Sequence, residues 1–172
     1  MSTPTIKVGD TIPQGTFSYV PYTDELDDPL KCGSPVKLNT DEWKGKKVVL
    51  LSVPGAFTPG CHIHHLPPFL AKYDELKAKG VDVIAVVAAN DAFVMSGWGR
   101  AEGLKDKILA LTDPNATWSA SMGLSVDLSH VGFGTRTSRY AMIINDLKVE
   151  YIGAEPAGGI TVSGADAVLE KL

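Results

Sequence analysis

Two unbroken apolar runs constrain this chain more than any other feature. Lys47-Val48-Val49-Leu50-Leu51-Ser52-Val53 and Val81 to Ala89 (VDVIAVVAA) carry β-branched and aliphatic side chains almost without a polar position. A strand that offers water no face has to be covered on both, which is the condition of a parallel strand inside a layered sheet. Between the runs, Leu66, Phe69, Leu70, Tyr73 and Leu76 recur at three and four, so a helix is predicted from Leu66 to about Lys79, stopped at Gly80. Pro67 and Pro68 remove two amide donors, and a kink or break is expected there.

The same alternation continues. Asp91 opens a helical stretch through FVMSGWGRAEGL, Ile108 to Leu111 form a third strand before the Asp113-Pro114 turn, and TWSASMGL reads as a short helix. Arg139 to Ile144 and Val149 to Ile152 read as a hairpin turning at Asn145-Asp146, followed by a last helix from about Gly164 to Leu172. Residues 1 to 40 are turn-rich, with FSYV and PVKLN as short strands. The order describes an α/β domain with a central mixed sheet and helices on both faces. No repeat, low-complexity tract or linker divides it, so residues 1–172 are expected to form a single domain.

Charge and hydropathy exclude several classes. The net charge is -4 and the sixteen Lys and Arg are scattered, which leaves no electrostatic footprint for nucleic acid. No apolar run approaches the roughly eighteen residues of a membrane span. MSTPTIKVGD lacks the basic start and apolar stretch of a secretory signal, so a cytoplasmic location is expected. The terminal Glu170-Lys171-Leu172 is a poor match to the peroxisomal Ser-Lys-Leu address, with an acid where a small residue belongs.

The chemistry centres on VPGAFTPGCHIHHLPPF, residues 53 to 69. Cys61 and Cys32 are too few for a disulfide framework and form no Cys-x-x-Cys pair. The turn Thr58-Pro59-Gly60-Cys61 follows the first buried strand, at the end of an α/β sheet where binding crevices form. It reads as a helix start, with Thr58 the N-cap, Pro59 at N1 and Cys61 at N3. The first turn of a helix has unpartnered amides and favours an anion, and a thiolate is an anion. A reactive sulfur would also need fixed donors for a leaving group: the Gly60 and Cys61 amides, the Thr58 hydroxyl and a cation from elsewhere. Against this stand a small buried hydrophobe and a metal held by Cys61, His64 and His65 on one helical face. Only His130 and Cys32 are spare to complete such a site, so no metal or other cofactor is expected.

Pro54-Gly55-Ala56-Phe57-Thr58-Pro59-Gly60-Cys61 reproduces the P-x-x-x-T-x-x-C signature of peroxiredoxins. With His65-Leu66-Pro67 it resembles the subfamily of mammalian peroxiredoxin five and the plant type II enzymes. The likeness continues through NDAFVMSGWGR (90 to 100), LTDP (111 to 114) and TSRYAMII (137 to 144), while DEWKGKKVV and KCGSPV resemble fungal allergen members. The resemblance covers nearly the whole chain. It implies a thioredoxin-like fold, a homodimer, and reduction of hydrogen peroxide or small alkyl hydroperoxides. Residue by residue, it makes Cys61 the peroxidatic cysteine, Thr58 a hydrogen-bond partner of peroxide and thiolate, Pro54 a shield of the pocket and Arg139 the activating arginine, with Arg136 and Arg100 the alternatives. Gly60, Phe57, His65 and Trp98 would line or adjoin the pocket, with His62 and His64 facing solvent.

One departure bears on the catalytic cycle. The mammalian relative has a resolving cysteine near its carboxyl end, but the matching stretch here, Gly158 to Ser163, has Val162. Two routes stay open: an external thiol (glutathione, glutaredoxin or thioredoxin) reduces Cys61 directly, or Cys32 of one subunit resolves Cys61 of the other. A non-catalytic binding or holdase role and a metal site on CHIHH are the rival readings.

Overall fold

A computed structural model describes residues 3–172; residues 1 and 2, part of the turn-rich start, lie outside it. In chain order the elements are β1 (Thr16–Tyr19), β2 (Val36–Asn39), β3 (Lys47–Ser52), a π-helical turn (Gly60–His65), α1 (Leu66–Ala71), α2 (Tyr73–Ala78), β4 (Val83–Ala88), α3 (Ala92–Ala101) and β5 (Leu109–Thr112). They continue with α4 (Thr117–Ser121), β6 (Ser125–Asp127), β7 (Thr135–Thr137), β8 (Tyr140–Asn145), β9 (Lys148–Ala154) and α5 (Ala165–Leu169). Short 3-10 turns connect several of them.

Seven strands form one sheet in the order β2-β1-β5-β4-β3-β8-β9. The centre is parallel, with β3 on β4 and β4 on β5, and the flanking pairs are antiparallel, so the sheet is mixed as expected. The two apolar runs lie side by side in it, and successive residues pack to opposite sides. Val49, Leu51, Ile84, Val86 and Ile143 meet Phe69, Leu76, Met95, Trp98 and Val168 from α1, α2, α3 and α5. Val48, Leu50, Ala85, Val87, Met142 and Ile144 meet Phe17, Trp43, Trp118 and Met122 on the other face. Each fully buried aliphatic or aromatic side chain contributes about 1.5–3 kcal/mol, which is why these strands tolerate no polar alternation. At the sheet edge Phe17 stacks on Trp43 at 5.7 Å and meets Trp118 edge-on at 5.0 Å.

Several local expectations change. Pro67 and Pro68 do not kink a helix; they occupy the first turn of α1, where their missing amides need no partner. The chain instead widens ahead of them into the π turn, closed by the Leu66 amide donating to the Cys61 carbonyl. The break between α1 and α2 falls at Lys72, with φ -99° and ψ 17°. The β8–β9 hairpin turns at Asp146 and Leu147, both with positive φ, one residue later than Asn145-Asp146. The last helix is shorter than predicted, and the small β6–β7 hairpin is additional to the predicted elements. Asp91 does cap α3, accepting from the Phe93 and Val94 amides at 2.9 and 3.1 Å. No helix among the described residues is long and apolar enough to cross a membrane.

The register of β3 on β8 decides which loops meet. Ser52, the last residue of β3, pairs with Tyr140, the first of β8. The loop leaving β3 and the segment entering β8 therefore share one end of the sheet, which carries residue 139 to the Cys61 turn.

Candidate active site

The loop after β3 is held from three sides. Thr137 Oγ1 donates to the Val53 carbonyl at 2.9 Å, and Arg136 Nη1 donates to the Pro54 carbonyl at 3.2 Å. Asn90, just past the end of β4, accepts from the Ala56 amide at 2.9 Å and from Arg136 Nη1 at 3.3 Å. Phe57 is held at φ 61°, a left-handed conformation that costs a non-glycine residue about 1–2 kcal/mol. Its side chain is exposed.

Thr58 is not a side-chain N-cap. Its hydroxyl donates to the Gly55 carbonyl at 2.8 Å, while its carbonyl accepts from the Cys61 and His62 amides at 3.1 and 2.8 Å. The helix begins at Gly60 without a capping side chain. The Cys61 amide, expected to be free for a ligand, is thus used within the turn. With its hydrogen committed to Gly55, the Thr58 hydroxyl presents lone pairs to a ligand and acts there as an acceptor.

Cys61 lies in the π turn and is only 1% exposed. The sulfur is enclosed rather than open at the mouth of a cleft, yet it has a cationic neighbour: Arg139 Nη2 donates to Sγ at 3.3 Å. Gly60 allows that approach, since a Cβ there would stand 3.3 Å from the same guanidinium nitrogen. Arg139 is fixed in turn by His65, whose Nδ1 lies 3.0 Å from Nη1, and His65 Nε2 lies 2.8 Å from the Ser163 carbonyl. A guanidinium only donates and a carbonyl only accepts, so the imidazole is neutral, with its hydrogen on Nε2 and a bare Nδ1 facing the arginine. Burial, aided by the Arg139 charge, pushes the His65 pKa down from 6.5 to about 4, against the opposing effect of the Ser163 hydrogen bond.

Ser163 is anchored by a carboxylate. Glu155, 5% exposed, accepts at Oε1 from the amides of Thr161, Val162 and Ser163 at 2.6, 2.8 and 2.9 Å and from the Ser163 hydroxyl at 2.8 Å. Its Oε2 accepts from the Thr161 hydroxyl at 2.8 Å. Burial works to raise the pKa of this acid, but the Thr161 and Ser163 hydrogen bonds outweigh it and hold it down at about 2. An unbroken series of contacts therefore runs from Glu155 through Ser163, His65 and Arg139 to the sulfur.

The fold thus gathers Cys61, Gly60, Arg139 and His65, with Thr58 on the same turn and Pro54 at the base of the loop. Trp98 is fully buried on α3, beneath that turn. Of the other arginines, Arg136 braces Pro54, and Arg100 donates to the Lys31 and Pro29 carbonyls at 2.9 and 3.2 Å, anchoring the loop that carries exposed Cys32. His64 is exposed as expected, whereas His62 is partly buried against α3. Sequence reasoning misses Asn90 and Ser163, whose partners in the site lie far away along the chain, and Glu155, whose near neighbours Thr161 to Ser163 carry no recognisable motif.

Known proteins share this arrangement of chain. Residues 7–169 match the Redoxin family. Peroxiredoxin Pen c 3 of Penicillium citrinum is 44% identical over 97% of this chain and 99% of its own. Peroxiredoxin-2B of Arabidopsis thaliana is 41% identical over 97% of this chain and 98% of its own. The crystal structure of reduced Prx3 from Vibrio vulnificus in complex with hydrogen peroxide superposes with a TM-score of 0.85 at 42% identity, covering 96% of this chain and 98% of that one.

Proposed function

This chain belongs to the Redoxin family and is a peroxiredoxin, a thiol-dependent peroxidase, and we propose that its peroxide-reducing sulfur is that of Cys61. The observation that carries the assignment is the guanidinium nitrogen of Arg139 at 3.3 Å from Sγ. An always-charged, planar donor stabilises negative charge on sulfur and on a departing oxygen through separate N–H groups, which a single ammonium does not reproduce. Thr58, with its own hydrogen given to Gly55, accepts the peroxide O–H and turns the oxygen towards sulfur. Pro54 and the enclosed loop keep bulk water from the sulfur.

The thiolate attacks the terminal peroxide oxygen, an S–O bond forms, and the O–O bond breaks. The leaving oxygen takes up a proton and departs as water or an alcohol. Sulfur loses two electrons, the peroxide gains them, and Cys61 is left as sulfenic acid. A thiol then attacks that sulfur and releases water. Small substrates, hydrogen peroxide and small alkyl hydroperoxides, suit so enclosed a sulfur.

The source of that thiol is proposed to be glutathione, glutaredoxin or thioredoxin, or Cys32 of a second subunit. Cys32 is exposed, and Phe57, Ile63, Phe93 and Val94 form exposed apolar surface on the Cys61 turn and α3, which supports a homodimer. Bonding Cys32 to Cys61 requires their Cα atoms to come within about 7 Å. One equivalent of peroxide followed by a non-reducing gel tests this: the covalent dimer should vanish in Cys32→Ser, and its persistence would leave only the external thiol. The cytoplasm is the proposed compartment, to be checked by imaging a fusion that leaves the terminal Leu172 free.

Peroxide consumption with a thiol reductant, compared between the protein and Cys61→Ser, tests the assignment as a whole. Activity should disappear in the variant. Retained activity would move the chemistry elsewhere.

A further inference from the structure

Three residues before His65 the turn carries a second imidazole in different company. Nδ1 of His62 lies 2.5 Å from Oε1 of Glu102, and Trp98 Nε1 lies 3.0 Å from the same nitrogen. Trp98 and Glu102 are four residues apart at the end of α3 and share one face of it. One ring nitrogen cannot accept from an indole and donate to a carboxylate together. Bare, it takes the Trp98 hydrogen; protonated, it gives its own to Glu102. In either state His62 is tied to α3.

Glu102 is the more telling partner. Its side chain is 8% exposed, and its Oε1 is shut from water with no other partner among the described residues. A carboxylate oxygen buried without a donor is costly, and an Nδ1–H of His62, 2.5 Å away, is the donor placed to satisfy it. Phe57 packs across the imidazole with ring centres 5.9 Å apart.

His62 directly follows Cys61, whose sulfur is enclosed. A thiol bulkier than a peroxide reaches it only when the turn opens, and that motion has to draw His62 away from Trp98 and Glu102. We propose that His62 is a positioning residue whose clasp on Glu102 holds the Cys61 turn closed and sets how readily the oxidised sulfur meets a thiol. The role in turnover rests on Cys61 being the peroxidatic residue; the clasp itself does not.

The test uses the whole reduced protein, Glu102→Ala, His62→Ala and the double variant. Each is labelled in parallel with iodoacetamide and with a bulky maleimide, and Cys61 and Cys32 are followed separately by peptide mass spectrometry. A change in thiolate fraction speeds both reagents alike, whereas release of the turn favours the bulky one. Each single variant should raise the bulky-to-small labelling ratio at Cys61 by roughly twofold to fivefold, as the loss of one partly exposed imidazole–carboxylate contact implies. The double variant should go no further than the singles, because the same interaction is lost once. Labelling of Cys32 should not change. An unchanged ratio at Cys61 in both single variants, or a double variant in which the two effects compound, overturns the clasp. A Cys61 that ignores peroxide yet shows the expected labelling pattern sustains the clasp and overturns the catalytic assignment instead.

Discussion

His62 and His65 stand on one turn, three residues apart, and do opposite things. His65 is fully buried, with both ring nitrogens engaged by partners that permit one tautomer, and its arginine contact leads directly to the sulfur. His62 is 39% exposed at its side chain and has one nitrogen shared between two partners that exclude each other. The first arrangement has one low-energy state and holds the guanidinium still. The second has alternatives and can let go. A turn proposed both to aim a sulfur at peroxide and later to release it gains from being fixed at one end and clasped at the other.

The fixed end is tested most severely at Arg139. Replacing it with Met should slow oxidation of Cys61 by peroxide by about tenfold to a hundredfold, measured by stopped-flow, since a charge-assisted donor near the reacting atoms is lost. Lys at 139 should not restore the rate. A rate within a factor of about two of the starting protein would transfer the role to Arg136 or Arg100.

The next effects fall on the support of that arginine. Glu155→Gln should destabilise the protein by about 1–3 kcal/mol, read by denaturant unfolding, because amides of residues 161–163 lose a charged acceptor in a buried site. It should also slow the peroxide step by several-fold, whereas substituting exposed His64 should change neither.

Acid should reveal the same asymmetry. An imidazole with a folded-state pKa below its ordinary value costs stability as the pH falls, because the unfolded chain takes up a proton that the native site refuses. For His65 the contribution is intact above about 6.5 and is lost progressively towards about 4, an effect on the order of 3 kcal/mol when complete. Glu155, held down at about 2, retains its contribution above about 4.5 and loses it below. Unfolding monitored across this range should show stability falling between about pH 6.5 and 4, and His65→Leu should flatten that slope. An equal slope in the variant would place the acid sensitivity elsewhere.

The smallest expected effect is at Cys32. Cys32→Ser should leave the first oxidation of Cys61 within about a factor of two, because Cys32 lies in an exposed loop fastened to α3 by Arg100 rather than beside Arg139.

Much of the fold is legible because burial on two faces leaves a mark in the residues themselves: Val48 to Leu51 and Ile84 to Ala88 admit only apolar side chains. The π turn leaves no such mark, because the winding depends on how the chain meets two prolines placed at a helix start. The β6–β7 hairpin is equally silent, since Ser125-Val126-Asp127 and Thr135-Arg136-Thr137 lack apolar alternation. At the site, Cys61 and Arg139 are readable through a family resemblance, and the sheet register then explains how they meet. The contacts that support them are not: His65 and Ser163 are 98 residues apart, and Arg139 and His65 are 74 apart. Such pairs are fixed by topology, and no local spacing encodes them.

Every step of the catalytic cycle depends on the enclosed sulfur, not the exposed one, reacting with peroxide. Mixing the fully reduced protein with less than one equivalent of hydrogen peroxide, trapping sulfenic acid within milliseconds and locating it by mass spectrometry lets the two cysteines compete inside one molecule. Trapped sulfenic acid is expected at Cys61, with essentially none at Cys32. Preferential oxidation of Cys32 would contradict the assignment.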